Sequence, residues 1–311
     1  MNLTRHVVPS FVSHVRDLIY LLRFLSALCG HTTCSVADDR IIDTAISELG
    51  FTSTSMGLSA CGVRAVGDTM TMDFMLEATS TLVEQAAKLR CVLSRLLFFR
   101  LHDYPHRSHQ NSGVCWKYES KALVMTGCLS WNRYMSSGAT TVPMVMRAPV
   151  GNTRNMGPHH SGAYWPMFAH CPGLLVVVPS TPRDAKGLMK TALRYTEDPV
   201  IFLESKSLFN AVDDIPVGEE YIPFGVARLA RPGKDITVVA CGAHVHTVLA
   251  VARNLASELA IECEVVDLRT VVPLDTETVI DSGKCGLAKP ALHYVHCLPL
   301  PLRFSLSNAS N

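Results

Sequence analysis

Hydrophobic patterning along the chain alternates between periodic stretches and stretches without period. Arg40-Ile41-Ile42-Asp43 predicts a short strand. The run from Ile46, rich in small residues (Gly50, Ser53, Gly57, Ser59, Ala60, Gly62), predicts a helix packed closely on its neighbours. Residues 70–76 are apolar and rich in methionine, and 77–89 place Leu82, Ala86, Ala87 and Leu89 at helical spacing. Lys88 and Arg90 then stand where a helix C-terminus favours cations. Period lapses over 91–132 and returns at Arg133, with a strand expected over 140–147, interrupted by Pro143. A polar Gly/Asn/His loop covers 151–160, and 174–178 is a continuous apolar run of the kind buried on both faces of a sheet. Thr181-Pro182-Arg183-Asp184 supplies a cap, a first-position proline and an acid for a helix reaching about Tyr195, and 199–203 is the next buried strand. Strands alternating with helices predict a parallel α/β sheet.

A Pro/Gly-bearing link at 215–234 leads to a second unit. A strand over 235–240, a helix over 244–259 and a strand over 261–268 form a βαβ motif. The helix carries Val245, Val248, Leu249, Ala252, Leu255 and Leu259 on one face. After Val279 come Gly283, Pro290, Pro299, Pro301 and a Ser/Asn tail without period, so this second domain reads as cut short.

The length of 311 residues predicts two domains, and 48% hydrophobic residues exclude disorder as the whole answer. Charge is balanced, 28 Lys+Arg against 27 Asp+Glu, which argues against nucleic-acid binding by bulk electrostatics. A charged fraction of 18% is low and fits much surface buried in sheet or against partners. The most apolar stretch, 18–29, is broken by Arg23 and too short for the ~20 residues a bilayer needs. Eleven cysteines without CxxC spacing read as thiols of a reducing compartment. Cys29 and Cys34, the closest pair, lack a second ligand pair for zinc, and His102, His106 and His109 read as a solvated loop. Residues 1–37 carry Arg5, Arg16 and Arg23 against one acid, Asp17, which suits either an organelle presequence or an unrelated leader.

Several segments together resemble one family. Arg40-Ile41-Ile42-Asp43-Thr44-Ala45-Ile46-Ser47-Glu48-Leu49-Gly50-Phe51 is similar to the pyrimidine-binding segment of the β subunit of thiamine diphosphate-dependent 2-oxoacid dehydrogenases. Cys171-Pro172-Gly173-Leu174, Pro179-Ser180-Thr181-Pro182, Asp184-Ala185-Lys186-Gly187-Leu188 and Asp267-Leu268-Arg269-Thr270-Val271-Val272-Pro273-Leu274-Asp275 follow in the family's order. The resemblance spans 38–90 and 133–282 and points to the group that includes pyruvate, branched-chain and acetoin dehydrogenases. It implies a parallel-sheet, transketolase-like pyrimidine-binding domain over 38–214, interrupted at 91–132, and an incomplete transketolase C-terminal α/β domain over 215–282. An atypical leader (1–37) and tail (283–311) flank them.

The resemblance also implies chemistry. The cofactor acts once its thiazolium C2 has lost a proton, and a glutamate at N1′ of the aminopyrimidine favours the tautomer whose 4′-nitrogen accepts it. Glu48 takes that role by resemblance; on the residues alone it is also an ordinary exposed acid at a helix start. Phe74 matches the aromatic that packs on the pyrimidine, a role compatible with a place in the core. His160 matches the histidine that meets substrate or the incoming lipoyl group, with His159 where the family often has Gln. A potassium ion held by backbone carbonyls would fall at Met144, Ala192, Leu193 and Asp198.

No Gly-Asp-Gly with a distant Asn and no phosphate loop occurs, so only the pyrimidine half of the cofactor is expected here. An α subunit would hold the diphosphate and Mg²⁺ in an α2β2 tetramer, which serves a lipoyl-bearing E2 acyltransferase. The leader, the 91–132 insertion, the short C-terminal domain and Thr69 at a usually apolar position depart from the family pattern. Retained introns or a faulty gene model would account for the first three and would imply a mitochondrial matrix protein of a eukaryote; otherwise the location is cytoplasmic. Two readings stand: a catalytic β subunit, with pyruvate as the first-choice 2-oxoacid, or a non-catalytic relative serving at most as an interaction subunit.

Overall fold

The computed structural model describes residues 19–23, 41–89, 141–152, 156–215, 218–284 and 292–294. The expected 91–132 insertion, the cysteine pair and the histidine-rich loop lie outside these residues. Two sheets organise what is described, one of seven strands and one of four.

In chain order the first unit contains β1 (Ile19–Arg23), β2 (Ile41–Asp43), α1 (Glu48–Ala60), β3 (Arg64–Asp68) and α2 (Met72–Met75). A 3-10 turn over Leu76–Ala78 and a π-helical stretch over Ser80–Ala86 continue α2. Next come β4 (Met144–Val150), α3 (Trp165–Ala169), β5 (Leu175–Val177), α4 (Pro182–Arg194) and β6 (Val200–Ser205). The second unit holds β7 (Arg228–Arg231), β8 (Ile236–Ala240), α5 (Ala243–Leu259), β9 (Cys263–Asp267), β10 (Thr270–Val272), α6 (Thr276–Lys284) and β11 (Leu292–Tyr294).

The large sheet runs β10-β5-β6-β4-β3-β1-β2, and every pairing but the antiparallel β10–β5 edge is parallel. Alternation along β4 assigns its faces. Met144, Met146 and Ala148 pack with Phe51, Met72 and Phe168 on one side, while Val145 joins Leu188, Ala192 and Phe202 under α4 on the other. Helices cover both faces, as a parallel sheet requires. The α4 N-terminus follows its sequence signature: the Thr181 hydroxyl accepts the Asp184 N–H at 3.1 Å and Pro182 occupies the first turn.

The segment read as a leader contributes β1, an inner strand between β3 and β2. The second unit likewise exceeds one βαβ motif, because β7, α6 and β11 add to it in the order β11-β8-β9-β7. β7 escaped the pattern because Arg-Leu-Ala-Arg is four residues long and only partly buried at an edge. β3 escaped it because Arg64-Ala65-Val66-Gly67-Asp68 has a strand's burial without an apolar run. Thr69 is buried with its hydroxyl donating to the Arg147 carbonyl at 3.2 Å, which explains how a polar residue is held there.

The two units meet at a buried polar clasp. Asp267, at the end of β9, accepts from the Ser180 hydroxyl at 2.5 Å and from Arg228 at 2.9 Å. Arg269 pairs with Asp184 of α4 at 3.0 Å, and Arg228 approaches the same carboxylate at 3.4 Å. From this clasp β10 leaves the second sheet and pairs with β5, Thr270 opposite Val177.

Burial pushes the Asp267 carboxyl above the ordinary carboxylate range, against the pull of Ser180 and Arg228. The folded chain therefore holds this proton more tightly than the unfolded chain. Its contribution to stability falls as pH rises from the ordinary value through the raised one. Denaturant titrations across that window should show a steeper loss with rising pH in the natural chain than in Asp267→Asn.

Candidate functional site

In a parallel sheet every strand sends its following loop out of the same edge, and ligands bind in the crevice at the strands' carboxyl ends. Glu48 follows β2, Phe74 follows β3, His160 follows β4 and Lys206 follows β6 directly. Topology alone thus brings residues far apart in sequence to one rim.

Glu48 is the first residue of α1, half-buried, where a carboxylate suits the positive helix end. It makes no hydrogen bond or ion pair with any described residue. Ser47 caps the helix through its carbonyl, which accepts the Phe51 N–H at 3.0 Å. α1 packs on β3 and on the helical run that continues α2.

Met72 and Met75 are fully buried, and this anchoring leaves Asp73 and Phe74 half-buried at the rim. The Phe74 ring meets His160 edge-on, with centroids 5.5 Å apart and an interplanar angle of 82°. His160 ends a 3-10 turn over Pro158–His160, and its neighbour His159 is exposed. The Asp73 carboxylate accepts the Gly162 N–H at 2.9 Å, and the Lys206 ammonium donates to the His160 carbonyl. Three buried polar atoms of this region have no partner among the described residues: Thr71 Oγ1, Asp73 Oδ2 and His160 Nδ1. Unsatisfied polar atoms beside an aromatic ring fit a flat heterocycle able to donate and accept. The residues present therefore suit an aminopyrimidine.

Sequence reasoning singled out Glu48, Phe74 and His160 and missed Thr71, Asp73 and Lys206. Asp73 directly precedes Phe74 in the sequence, and a lysine ending a buried strand was the signal for Lys206. The potassium expectation fares differently. Ala192 and Leu193 lie in the last turn of α4, where unpaired carbonyls attract a cation. Leu193 O, however, already accepts Arg64 Nη1 at 2.7 Å. One of the four carbonyls expected to hold potassium, at Met144, Ala192, Leu193 and Asp198, thus already has a cationic partner, and an ion sharing that oxygen would stand beside a guanidinium. Among the described residues, no group of three His, Cys, Asp or Glu side chains forms a metal site. No helix among them is long and apolar enough to cross a membrane.

Comparison with known proteins agrees with this geometry. The family model for the transketolase pyrimidine-binding domain matches residues 130–211, and that for the transketolase C-terminal domain matches 225–287. A split-gene transketolase solved as an inactive β4 tetramer superposes with a TM-score of 0.64 at 17% identity, covering 91% of this chain and 76% of that one. The chain has a transketolase-like α/β fold and is similar to both transketolase domain families.

Among proteins of that fold it resembles the E1 β subunits of 2-oxoacid dehydrogenases. It is 37% identical over 244 residues to the β subunit of acetoin:2,6-dichlorophenolindophenol oxidoreductase from Cupriavidus necator, covering 78% of this chain and 59% of that protein. Identity is 35% over 245 residues to the pyruvate dehydrogenase E1 β subunit of Rickettsia conorii (79% and 61% covered). It is 32% over 246 residues to the mitochondrial 2-oxoisovalerate dehydrogenase β subunit of Dictyostelium discoideum (79% and 55% covered). The matched region is about three-fifths of the length of these relatives.

With a guanidinium already on Leu193 O, exchanging potassium for tetramethylammonium should leave the thermal midpoint unchanged. Arg64→Met should lose roughly 1.5–3 kcal/mol of stability and become potassium-responsive in the same melts.

Proposed function

We propose that the chain is the β subunit of a 2-oxoacid dehydrogenase E1 component, with pyruvate as first-choice substrate and thiamine diphosphate as cofactor. It works with an α subunit in an α2β2 assembly and passes the acyl group to a lipoyl-bearing E2. The observation that carries this reading is the edge-on seating of His160 on Phe74, at the rim that also bears the unpartnered Glu48. The names of the relatives given above, β subunits of an acetoin oxidoreductase and of pyruvate and 2-oxoisovalerate dehydrogenases, support it further.

In this reading each side chain has one task. Glu48 hydrogen-bonds N1′ of the aminopyrimidine and holds a proton there, Phe74 packs on the ring, and the His160 imidazole faces the substrate or the lipoyl group. The bound cofactor supplies the nucleophilic carbon and the electron sink. The α subunit holds the diphosphate and Mg²⁺. In a eukaryotic host the protein works in the mitochondrial matrix, and in a bacterium in the cytoplasm.

Co-expression with an α subunit matching one of these relatives tests the reading. A stable αβ complex with thiamine diphosphate-dependent pyruvate decarboxylation is expected. Glu48→Gln should lower turnover by ~10²–10⁴-fold while the complex still elutes intact. If neither complex nor decarboxylation appears, the chain is at most an interaction subunit.

A further inference from the structure

We infer that Lys206 and Asp73 are positioning residues that grip the His160 turn at its C-terminal end, one through the His160 carbonyl and one through the Gly162 N–H. The inference rests on the reading of His160 as the reacting imidazole.

β4, whose following loop carries His160, lies between β6 and β3. Lys206 comes directly after β6 and Asp73 lies just after β3, so the loops of the two flanking strands close on the loop of the middle one. Each supplies one charge-assisted hydrogen bond. The Lys206 ammonium donates to the His160 carbonyl, and the Asp73 carboxylate accepts from the Gly162 N–H at 2.9 Å.

The turn itself is weakly made. Its internal hydrogen bonds, His160 N–H to Gly157 O and Ser161 N–H to Pro158 O, are both 3.4 Å long. One firmer internal link, from the Ser161 hydroxyl to Gly157 O at 2.7 Å, does not involve the imidazole. The flanking pair supplies what the turn lacks. Gly162 allows Asp73 to come this close, because any side chain there would collide with the Asp73 carboxylate and the Tyr164 ring.

Lys206 is only 5% exposed, and a buried ammonium opposes folding unless pairing and hydrogen bonds offset its desolvation. Burial pushes its pKa down, while the charge of Asp73 works the other way. A methionine would fill the same space without desolvating a charge. The lysine instead spends its interior position on a single backbone carbonyl, that of the residue whose ring meets Phe74.

The test uses three variants of the full chain: Lys206→Met, Lys206→Arg and Asp73→Asn. The first readout needs no cofactor. NMR of the His160 ring, assigned by loss of its signal in His160→Gln, reports the ring-current shift from Phe74. Lys206→Met should move these resonances toward free-histidine positions, Lys206→Arg should restore them, and Asp73→Asn should shift them partway. In the αβ complex, Lys206→Met should lower kcat by up to ~10²-fold with little change in KM. His160 resonances unmoved in both Lys206→Met and Asp73→Asn would overturn the inference. If Lys206→Met does not fold, Asp73→Asn decides by the same resonances. Lack of turnover by the natural complex would refute the functional reading alone, since the ring resonances still judge the grip.

Discussion

One guanidinium holds the rim together. Arg147, on β4, donates to both oxygens of Asp68 on β3 at 3.1 and 2.9 Å and to Glu204 on β6 at 3.1 and 2.5 Å. All three side chains are largely buried, and the cation spans three adjacent strands near their carboxyl ends. Removing it would take the shared guanidinium from two buried carboxylates, and breaking a buried pair in this way typically costs about 3–5 kcal/mol. The loops bearing Phe74, His160 and Lys206 all leave from the strands it joins. Their spacing is set beneath them, before any of their own contacts form.

The motifs that carry the family resemblance divide by physical role. Only the segment around Glu48 reaches the proposed chemistry. Ser180, Asp184, Asp267 and Arg269, from the Pro-Ser-Thr-Pro, Asp-Ala-Lys-Gly and Asp-Leu-Arg-Thr stretches, meet in the clasp between the two units. A buried carboxylate is tolerable only with its partners in place, so these positions are tied to one another by desolvation. The Asp-Leu-Arg-Thr run fulfils this duty at each step. Asp267 and Arg269 pair across the clasp, and the Thr270 hydroxyl accepts the Gly225 N–H at 2.9 Å.

Most of the first unit was legible because burial on both faces writes itself as continuous apolar runs, as at β5 and β6, and because α4 announces its own start. β1, β3 and β7 were not, and for different reasons. β1 lies in a stretch whose composition suggested a leader, β3 contains glycine and charges at its ends, and β7 is a short edge. Glu48, Phe74 and His160 could be named from motifs. Asp73, Thr71 and Lys206 act through distances that exist only after β3, β4 and β6 lie side by side. The Arg64 guanidinium on Leu193 O belongs to the same class, since a contact between residues so far apart leaves no mark in spacing.

The crossing of β10 into the first sheet has a consequence for the integrity of the polypeptide. Around Val212, which is 81% exposed, the backbone is open to proteases. Yet the downstream half returns to the upstream half at several places, among them β10 on β5, Asp267 and Arg269 on Ser180 and Asp184, and Ile222 against Gly187 and Thr191. A single nick there would sever the covalent thread without releasing either fragment. The two pieces would persist as a noncovalent pair, and connectivity is thus the least important bond between them.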